Sequence, residues 1–176
     1  MQQIEIVTCQ ELPDKSALSA ILGQYYALIV KRMNAMGFDL DPAAPESALA
    51  EFWANATDYL PPDGCLVIAR TPDGEIVGCG MLKKLDAETG ELKRVYVADA
   101  ARGTGTGRRM IETREFVARQ MGLKRLVADT LTPNVEMRSL YPKQGFREVF
   151  EPIETTTWRD QPMIRDHLHY FVKDLT

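Results

Sequence analysis

Three glycines alternate with two threonines between Arg102 and Arg108, in a stretch that the flanking patterns place between a strand and a helix. Glycine allows positive φ and lets backbone N–H groups approach a ligand without a Cβ in the way. The start of a helix adds unpaired N–H donors and a partial positive charge. Together with Arg109, the two arginines reverse the charge locally in a chain whose net charge is −4. This combination predicts a binding site for a phosphate group.

Three phosphate-binding patterns compete for this stretch. The dinucleotide-binding pattern G-x-G-x-x-G fails, because its third glycine position after Gly103 and Gly105 is Arg108. A P-loop requires lysine after its last glycine, and an arginine follows Gly107. The pattern Q/R-x-x-G-x-G/A matches as Arg102-x-x-Gly105-x-Gly107. A turn that merely needs glycine, with solvated arginines beside it, is the alternative interpretation.

Two further stretches accompany this loop at fitting distances. Before it stands Glu-Leu-Lys-Arg-Val-Tyr-Val-Ala over 91–98, and after it Asn134-x-x-Met137-x-x-Leu140-Tyr141-x-x-x-Gly145-Phe146. With these three stretches the sequence resembles the GNAT acetyltransferase superfamily, whose acyl-CoA site uses the matched loop pattern. The resemblance extends over residues 65–150. It implies an N-acetyltransferase that moves the acetyl group of acetyl-CoA to a primary amine of a small molecule or peptide by direct attack.

The resemblance also implies a role for individual residues. The strand 91–97 would offer backbone groups to the pantetheine arm, the amides from Gly103 to Arg108 would hold the pyrophosphate, and Asn134 would bond the pantetheine. The full set expected to bind acetyl-CoA is Val95, Tyr96, Val97, Arg102, Gly103, Thr104, Gly105, Thr106, Gly107, Arg108, Asn134 and Tyr141.

Acyl transfer to an amine needs a base for the amine proton and help for the departing thiolate. Tyr141 is expected to stand near the sulfur and to supply that help by a hydrogen bond or a proton, although its helical spacing also suits a core aromatic. Pro142 follows directly and either aims the hydroxyl or misplaces it. Glu91 is the first candidate for the base, against an exposed carboxylate or a water relay as alternatives.

Two other groups of side chains carry weaker signals. His167 and His169 are expected to share one face of the last strand, two residues apart, without a third ligand at suitable spacing, so no metal is expected. They are more simply a half-exposed pair, or a base at the mouth of the substrate site. In similar proteins the N-terminal region, here Phe38 to Leu60, walls the acceptor site, whereas the spacing around Trp53 suits a core helix.

Hydrophobic periodicity predicts the elements that position these residues. The predicted strands are 3–8, 65–70, 76–85, 91–97, 126–128, 146–150 and 168–172, and the predicted helices are 14–37, 49–60, 105–121 and 134–141, the first capped by Asp14 or Ser16. Consecutive strands without intervening helices exclude a fully alternating sheet. We expect an α/β (α+β) fold with a mixed, mostly antiparallel central sheet flanked by helices, which the resemblance identifies as the acyl-CoA N-acyltransferase fold, splayed between strands 91–97 and 126–128.

Length and composition bound the remaining possibilities. The 176 residues suit one domain, 1–176, and the net charge of −4 argues against nucleic acid as a partner. No segment reaches the length of a membrane span, the start of the chain is unlike a secretion signal, and three dispersed cysteines suit a reducing compartment, so a cytoplasmic protein is expected. The sequence leaves monomer and homodimer open. A catalytically silent acyl-CoA-binding or sensor module and a nucleotide-binding protein remain as alternatives.

Overall fold

The strands and helices follow the predicted order in a computed structural model that describes residues 3–176. The strands are β1 (Glu5–Cys9), β2 (Gly64–Arg70), β3 (Ile76–Lys84), β4 (Thr89–Val97), β5 (Arg125–Leu131), β6 (Arg147–Val149) and β7 (Leu168–Asp174). The helices are α1 (Lys15–Ala35), α2 (Ala44–Ala54), α3 (Thr106–Gln120), α4 (Val135–Lys143) and α5 (Thr156–Asp160). Met1 and Gln2, the first residues of the stretch judged unlike a secretion signal, lie outside the described residues.

All seven strands belong to one sheet with the order β1-β2-β3-β4-β5-β7-β6. Every neighbouring pair is antiparallel except β4 and β5. These two strands pair from Thr89↔Arg125 to Leu92↔Ala128 and then separate, although both continue. The mixed, mostly antiparallel fold class and its splay between these two strands are therefore confirmed. The splay opens a gap inside the sheet.

Helices cover both faces of the sheet and bury two apolar clusters. On one face, α3 and α4 place Met110, Ile111 and Tyr141 against Leu82 and Leu126 of the strands. On the other face, α1 and α2 contribute the second cluster, which includes Leu18, Ile21, Leu22 and Phe52. Burying each such side chain stabilises the fold by about 1.5–3 kcal/mol. The two clusters hold β4 between them, so the gap at its edge has rigid walls.

The ends of α1 and α3 follow from local chemistry. Asp14 caps α1 by accepting a hydrogen bond from the amide of Ala17 at 2.8 Å, so of the two predicted caps Asp14 is the one used. Gly122 follows α3 with φ +76°, the left-handed conformation in which glycine commonly ends a helix. Among residues 3–176, no helix combines the length and the apolar content that crossing a membrane requires.

Residues 151–167 carry structure that the sequence patterns did not predict. The short helix α5 and a 3₁₀ turn (Pro162–His167) lie there. Thr155 caps α5, since its hydroxyl accepts a hydrogen bond from the amide of Trp158 at 3.1 Å. The predicted second helix 49–60 is also divided, because α2 ends at Ala54 and a 3₁₀ turn (Ala56–Tyr59) follows. Ala56 and Tyr59 of the 3₁₀ turn after α2 pack with α1, and Ile164 packs with Met33 at the end of α1.

Candidate active site

Beyond Leu92, no strand within the described residues 3–176 pairs with the edge of β4 that faces β5. The amide of Ala98 donates to the carbonyl of Val77 at 2.8 Å. In an antiparallel pair every second residue forms hydrogen bonds with the neighbouring strand. The backbone of Tyr96 therefore also bonds β3, while the N–H and C=O of Val97 point away from β3. Those groups face the gap. The role that the resemblance implies for Val97 stays a prediction, and its carbonyl already accepts a hydrogen bond from Nε of Arg102 at 3.0 Å. The backbone of Tyr96 bonds β3, and its ring packs edge-on against Tyr25.

A bulge interrupts the pairing of β4 with β3 just before this point. Tyr96 pairs with Cys79 and Lys93 with Met81, so Arg94 and Val95 together lie opposite Gly80 alone. Arg94 has φ +46°, which is uncommon for a residue with a side chain. Bulges of this kind re-aim backbone groups near functional sites. Here the bulge frees Val95 from the ladder at the place where β4 leaves β5.

The side chain of Arg94 fixes the bulge from the α1 face. Its Nε donates to the hydroxyl of Tyr26 at 2.9 Å, and its Nη1 donates to the hydroxyl of Tyr59 at 2.5 Å. The guanidinium also lies over the rings of Phe52 and Tyr59, at 5.9 and 5.3 Å from their centroids. The bulge is thereby tied to α1, α2 and the 3₁₀ turn at once.

The glycine-rich loop ends in the first turn of α3, as predicted. Gly103 and Gly105 both adopt positive φ, +75° and +80°, and Gly105 is the N-cap of α3 without any side-chain cap. The first helical backbone bond runs from Arg109 N to Gly105 O at 3.0 Å. Within residues 3–176, no backbone carbonyl accepts a hydrogen bond from the amides of residues 103–108. Six consecutive N–H groups at a helix N-terminus thus fit a pyrophosphate group.

The side chains of Arg102 and Thr104 form hydrogen bonds within the loop and its flanking residues, which stabilises the conformation of the loop. Arg102 folds back, with its Nε 3.0 Å from the carbonyl of Val97 and its Nη1 2.9 Å from Oδ1 of Asp99. The hydroxyl of Thr104 donates to the carbonyl of Ala101 at 2.6 Å and lies 2.7 Å from that of Thr106. The predicted anion site therefore rests on backbone amides more than on arginine side chains.

The remaining loop positions belong to helix packing and to the surface. Gly107 packs toward α4, since a Cβ there would lie at van der Waals distance, 3.4 Å, from Cδ2 of Leu140. Arg108 forms an exposed ion pair with Glu112. Arg109 donates to the carbonyl of Ile4 at 2.9 Å, which anchors α3 to the start of β1.

Asn134 stands at the N-terminus of α4, and both ends of its amide are engaged. Its Nδ2 donates to the hydroxyl of Thr130 at 3.0 Å, and its Oδ1 accepts from Nη1 of Arg32 at 2.6 Å. Arg32 also forms an ion pair with Glu136. In this structure Asn134 joins α1, β5 and α4, so a ligand would have to share an oxygen that already has a partner.

Tyr141 is buried on the side of the sheet that carries α3 and α4, with 3% of its surface exposed. Its ring packs against those of Phe146 and Phe171, with centroids 5.2 and 5.1 Å away. Burial raises the pKa of Tyr141 to about 12, Arg114 opposes that shift, and Asp129 and Glu91 add to it. Tyr141 is thus a core aromatic, as its helical spacing suggested, and its place near the sulfur of acetyl-CoA stays a prediction.

Pro142 does not open the last turn of α4. The helix continues to Lys143, and the amides of Gln144 and Phe146 donate to the carbonyls of Leu140 and Tyr141, both at 3.1 Å. Gly145 follows with φ +83°, which suits this kind of helix end. The turn that carries Tyr141 is therefore closed, so the proline leaves the hydroxyl in a defined place.

Glu91 is more buried than either interpretation of the sequence expected, with 1% of its surface exposed. It accepts hydrogen bonds from the amide and from the hydroxyl of Thr156, both at 3.1 Å. The ammonium of Lys93 lies 3.6 Å from Oε1. The carboxylate therefore holds the N-terminus of α5 on β4, and the exposed-carboxylate alternative is excluded.

Asp129 was not predicted as a site residue from the sequence, yet it lies at the point where β4 and β5 separate. It is the first residue of β5 beyond the last pair with β4, Leu92↔Ala128, so it lies where the gap opens. Burial, and next the charge of Glu91, raise the pKa of Asp129 to about 6, while Thr155 and Lys93 oppose the shift. The available signal was a lone carboxylate within the apolar run 126–131. A group that titrates near neutrality beside a cleft is a candidate for acid–base chemistry.

The two histidines do not share one strand face. His167 ends the 3₁₀ turn, where its ring meets that of Phe38 edge-on, and His169 lies in β7. Nδ1 of His169 lies 2.8 Å from Oε1 of Glu148, and its Nε2 lies 3.1 Å from the hydroxyl of Thr132. Across residues 3–176, no three histidine, cysteine, aspartate or glutamate side chains are grouped as a metal site would need.

Relatives of known name match parts of the chain. An IAA acetyltransferase from Azospirillum brasilense is 40% identical over 89 residues, which cover 49% of this chain and 57% of that relative. An amino-acid acetyltransferase from Mycobacterium tuberculosis is 32% identical over 104 residues, which cover 58% of this chain and 49% of that relative. The matched segments thus span about half the length of these two relatives.

Solved structures match nearly the whole chain. An acetyltransferase from Streptococcus agalactiae superposes with a TM-score of 0.73 at 20% identity, covering 99% of both chains. A PaiA N-acetyltransferase from Thermoplasma acidophilum, solved in complex with coenzyme A, has a TM-score of 0.69 at 16% identity and covers 97% of this chain and 99% of its own. At identities this low, the structural likeness establishes the fold alone.

The sequence profile of the acetyltransferase (GNAT) family matches residues 31–146, which is more than half of the 176 residues. This range contains β4, the glycine-rich loop, β5 and α4 with Tyr141. The chain belongs to the acetyltransferase (GNAT) family, whose members transfer an acetyl group from acetyl-CoA.

Proposed function

We propose that this protein transfers the acetyl group of acetyl-CoA to the primary amine of a small molecule or peptide by direct attack, without a metal. The observation that carries the proposal is the gap between β4 and β5. The free amides of residues 103–108 lie beyond one end of β4, and Asp129 lies where the two strands separate. Acetyl-CoA supplies the activated thioester. The protein binds and orients acetyl-CoA and the amine and exchanges protons with them.

Tyr141 and a carboxylate divide the proton chemistry in this proposal. Attack of the amine on the thioester carbonyl forms the N–C bond, and the C–S bond then breaks with its electron pair going to sulfur. Tyr141 donates a hydrogen bond or a proton to that sulfur. The amine proton passes to a carboxylate, directly or through water, and a pKa near the working pH suits this step.

Asp129 is better placed than Glu91 to accept that proton. Glu91 is sealed by Thr156 and Lys93 and has both oxygens engaged. Asp129 is only partly buried, and its pKa of about 6 leaves it ionised yet basic at neutral pH. We therefore assign Asp129 as the proton acceptor and Glu91 as the residue that holds α5 in place, and Glu91 as the base remains the competing hypothesis.

Two further points belong to the proposal. One relative is named an amino-acid acetyltransferase, which favours small amines with a carboxylate as the first acceptors to test. All three cysteines are free and buried, which suits a reducing compartment and supports a cytoplasmic location.

The test is release of free thiol from acetyl-CoA in the presence of amino acids, polyamines, arylamines and peptides. Acceptor-dependent release with formation of the acetylated amine supports the proposal. Tight binding of CoA without release across the whole panel would instead support a catalytically silent acyl-CoA-binding module. Thermal stabilisation by ATP or NAD but not by CoA would overturn the assignment of the loop.

A further inference from the structure

Arg32, in the last turn of α1, connects the two faces of the sheet through its side chain. Its guanidinium forms a bidentate ion pair with Glu136 on α4, with Nη1 2.6 Å from Oε1 and Nη2 3.2 Å from Oε2. Nη1 also donates to Oδ1 of Asn134 at 2.6 Å. Because α1 and α4 pack on opposite faces, these hydrogen bonds join two layers of the fold that the sheet otherwise separates.

This connection lies beside the gap between β4 and β5. Nδ2 of Asn134 donates to the hydroxyl of Thr130, which belongs to β5 beyond its last pair with β4. The helix that carries Arg32 also contacts β4, where the hydroxyl of Tyr26 accepts a hydrogen bond from Arg94 at 2.9 Å. Helix α1 thus touches both walls of the gap, and Asn134 lies on the β5 wall.

The partners of Asn134 fix the orientation of its amide. Arginine only donates hydrogen bonds, so the atom that Arg32 contacts must be the amide oxygen. Nδ2 then faces Thr130, whose hydroxyl accepts one of its two hydrogens at 3.0 Å. The second hydrogen on Nδ2 has no acceptor among residues 3–176, in a residue with only 8% of its surface exposed. A buried donor without an acceptor is costly, and a ligand that brings a carbonyl removes the cost.

The pantetheine arm of acetyl-CoA offers such a carbonyl. This arm is slender, links the pyrophosphate to the thioester and contains amide groups. In the proposed function the pyrophosphate binds the amides of residues 103–108, so the arm follows the gap that Asn134 borders. The sequence predicts this contact for Asn134, and the geometry adds which residue prepares it.

Glu136 makes Arg32 more important than its own hydrogen bond. Nη1 of Arg32 lies 2.6 Å from both Oδ1 of Asn134 and Oε1 of Glu136, so the carboxylate is close to the amide. Without the arginine, an uncompensated carboxylate would repel the amide oxygen. The amide would then turn Nδ2 toward Glu136 and its oxygen toward Thr130, whose hydroxyl can also donate. Arg32 prevents this competing orientation.

We propose that Arg32 is a positioning residue for acetyl-CoA, which fixes the amide of Asn134 so that one N–H of Nδ2 is kept free for a carbonyl of the pantetheine arm. This rests on the proposed function and names a residue that prepares its cofactor site. Arg32 acts through Asn134 and Glu136, and no covalent step is involved. Its loss affects the arm alone, because the pyrophosphate binds at the N-terminus of α3.

Calorimetry with two ligands tests this role without any turnover. CoA carries the arm, whereas 3′-phospho-ADP is the part of CoA that remains without it and still binds through its phosphates. Arg32→Met should weaken CoA binding about tenfold, since the competent orientation becomes the minor one, and leave the affinity for 3′-phospho-ADP within about twofold. Arg32→Lys keeps a cation that only donates, so it should restore most of the CoA affinity. Arg70→Met removes an arginine that is paired with Glu5 on β1, and it should change neither affinity.

A second substitution separates the orientation of the amide from the loss of an ion pair. In Arg32→Met/Glu136→Leu the carboxylate that attracts Nδ2 is also gone, so both orientations are populated and CoA affinity should recover to within about threefold of the parent. With acetyl-CoA as substrate, Arg32→Met should raise KM about tenfold and leave kcat within about twofold. In an Asn134→Ala background, Arg32→Met should have no further effect on CoA binding.

The outcomes are separable. Retained binding of 3′-phospho-ADP shows that a variant is folded and that its loop is intact. Equal loss of affinity for both ligands in Arg32→Met, or no recovery when Glu136 is also replaced, would overturn the inference. Absence of acetyl transfer by the parent protein would overturn the proposed function, and the comparison of the two ligands would still decide the role of Arg32.

Discussion

The hydroxyl of Thr155 donates a hydrogen bond to Oδ2 of Asp129 and accepts one from the amide of Trp158 at 3.1 Å. One side chain therefore caps α5 and also contacts the carboxylate that lies where β5 leaves β4. The neighbouring Thr156 donates to Glu91 from both its amide and its hydroxyl. The short helix α5 is held by both carboxylates, and its cap Thr155 links its position to the protonation of Asp129.

Replacing Thr155 by valine should change the pH dependence of the reaction. The hydrogen bond from Thr155 lowers the pKa of Asp129, so its loss raises that pKa and moves the acid limb of kcat/KM to higher pH. Loss of the cap should also cost about 1 kcal/mol of unfolding free energy. Thr155→Ser should restore both properties.

The matched control is Asp14→Ala, which removes the cap of α1 far from the carboxylates. It should cost a similar free energy of unfolding and leave the acid limb in place. An acid limb that stays at the same pH in Thr155→Val would show that Asp129 does not govern it.

Asp129→Asn and Glu91→Gln should affect the reaction in different ways. As the proton acceptor must be ionised, kcat/KM should fall as the pH drops through about 6 in the parent protein. Asp129→Asn should remove that limb and reduce kcat/KM by roughly 10²-fold or more.

In Glu91→Gln the acid limb should survive and move to lower pH, because the charge of Glu91 raises the pKa of Asp129. The measurement is kcat/KM from pH 5 to 9 for the three proteins. If Glu91 were the base, the limb would disappear in Glu91→Gln and persist in Asp129→Asn.

Asp129→Asn should also stabilise the folded protein. Folding raises the pKa of Asp129 from 3.8 to about 6, so the folded state is penalised at pH values above 6 and the penalty vanishes below the unfolded value. Asp129→Asn should therefore gain about 1–2 kcal/mol of unfolding free energy at pH 8, after allowance for partial exposure.

Denaturation in urea at several pH values measures this gain. It should shrink as the pH is lowered and be absent near pH 3.5, where Asp129 is protonated in both states. A gain that is independent of pH would mean that the carboxylate is not strained by its surroundings.

Gly105→Ala tests the glycine-rich loop against a matched glycine. Gly105 and Gly74 both have positive φ, +80° and +88°, and neither would bring a new Cβ into close contact. Alanine should cost each protein about 1 kcal/mol of unfolding free energy through backbone strain. Only Gly105→Ala should weaken CoA binding as measured by calorimetry, because only that glycine aims the amides at the N-terminus of α3. Equal CoA affinity in both variants would contradict the assigned pyrophosphate site.

The framework of the site was predictable because it depends on local chemistry. The three glycines between a strand and a helix, the apolar periodicity of α3 and the turn between β2 and β3 each act over a few residues. The strands and helices around the gap consequently appeared in the predicted order. Tyr141 could be named because its motif has a fixed spacing to the loop.

Arg32 and Asp129 escaped prediction for the same physical reason. The significance of each comes from partners far away in sequence: Asn134 and Glu136 for Arg32, Glu91 and Thr155 for Asp129. The burial of Glu91 escaped prediction as well, because the partner that seals it, Thr156, lies 65 residues later. Residues 151–167 lack a clear apolar period, so nothing in the pattern announced α5.

The separation of β4 from β5 creates a strand edge in the interior of a sheet. On the outside of a protein, such unpaired backbone groups attract strands of other chains and promote aggregation. Here α3 and α4 pack on one face of the sheet and α1 and α2 on the other, which restricts how an extended polypeptide strand can approach this edge. The fold thus keeps the unpaired backbone groups of β4 available to a slender ligand while restricting their pairing with other polypeptide strands. Amide hydrogen exchange along this edge should slow when that ligand binds.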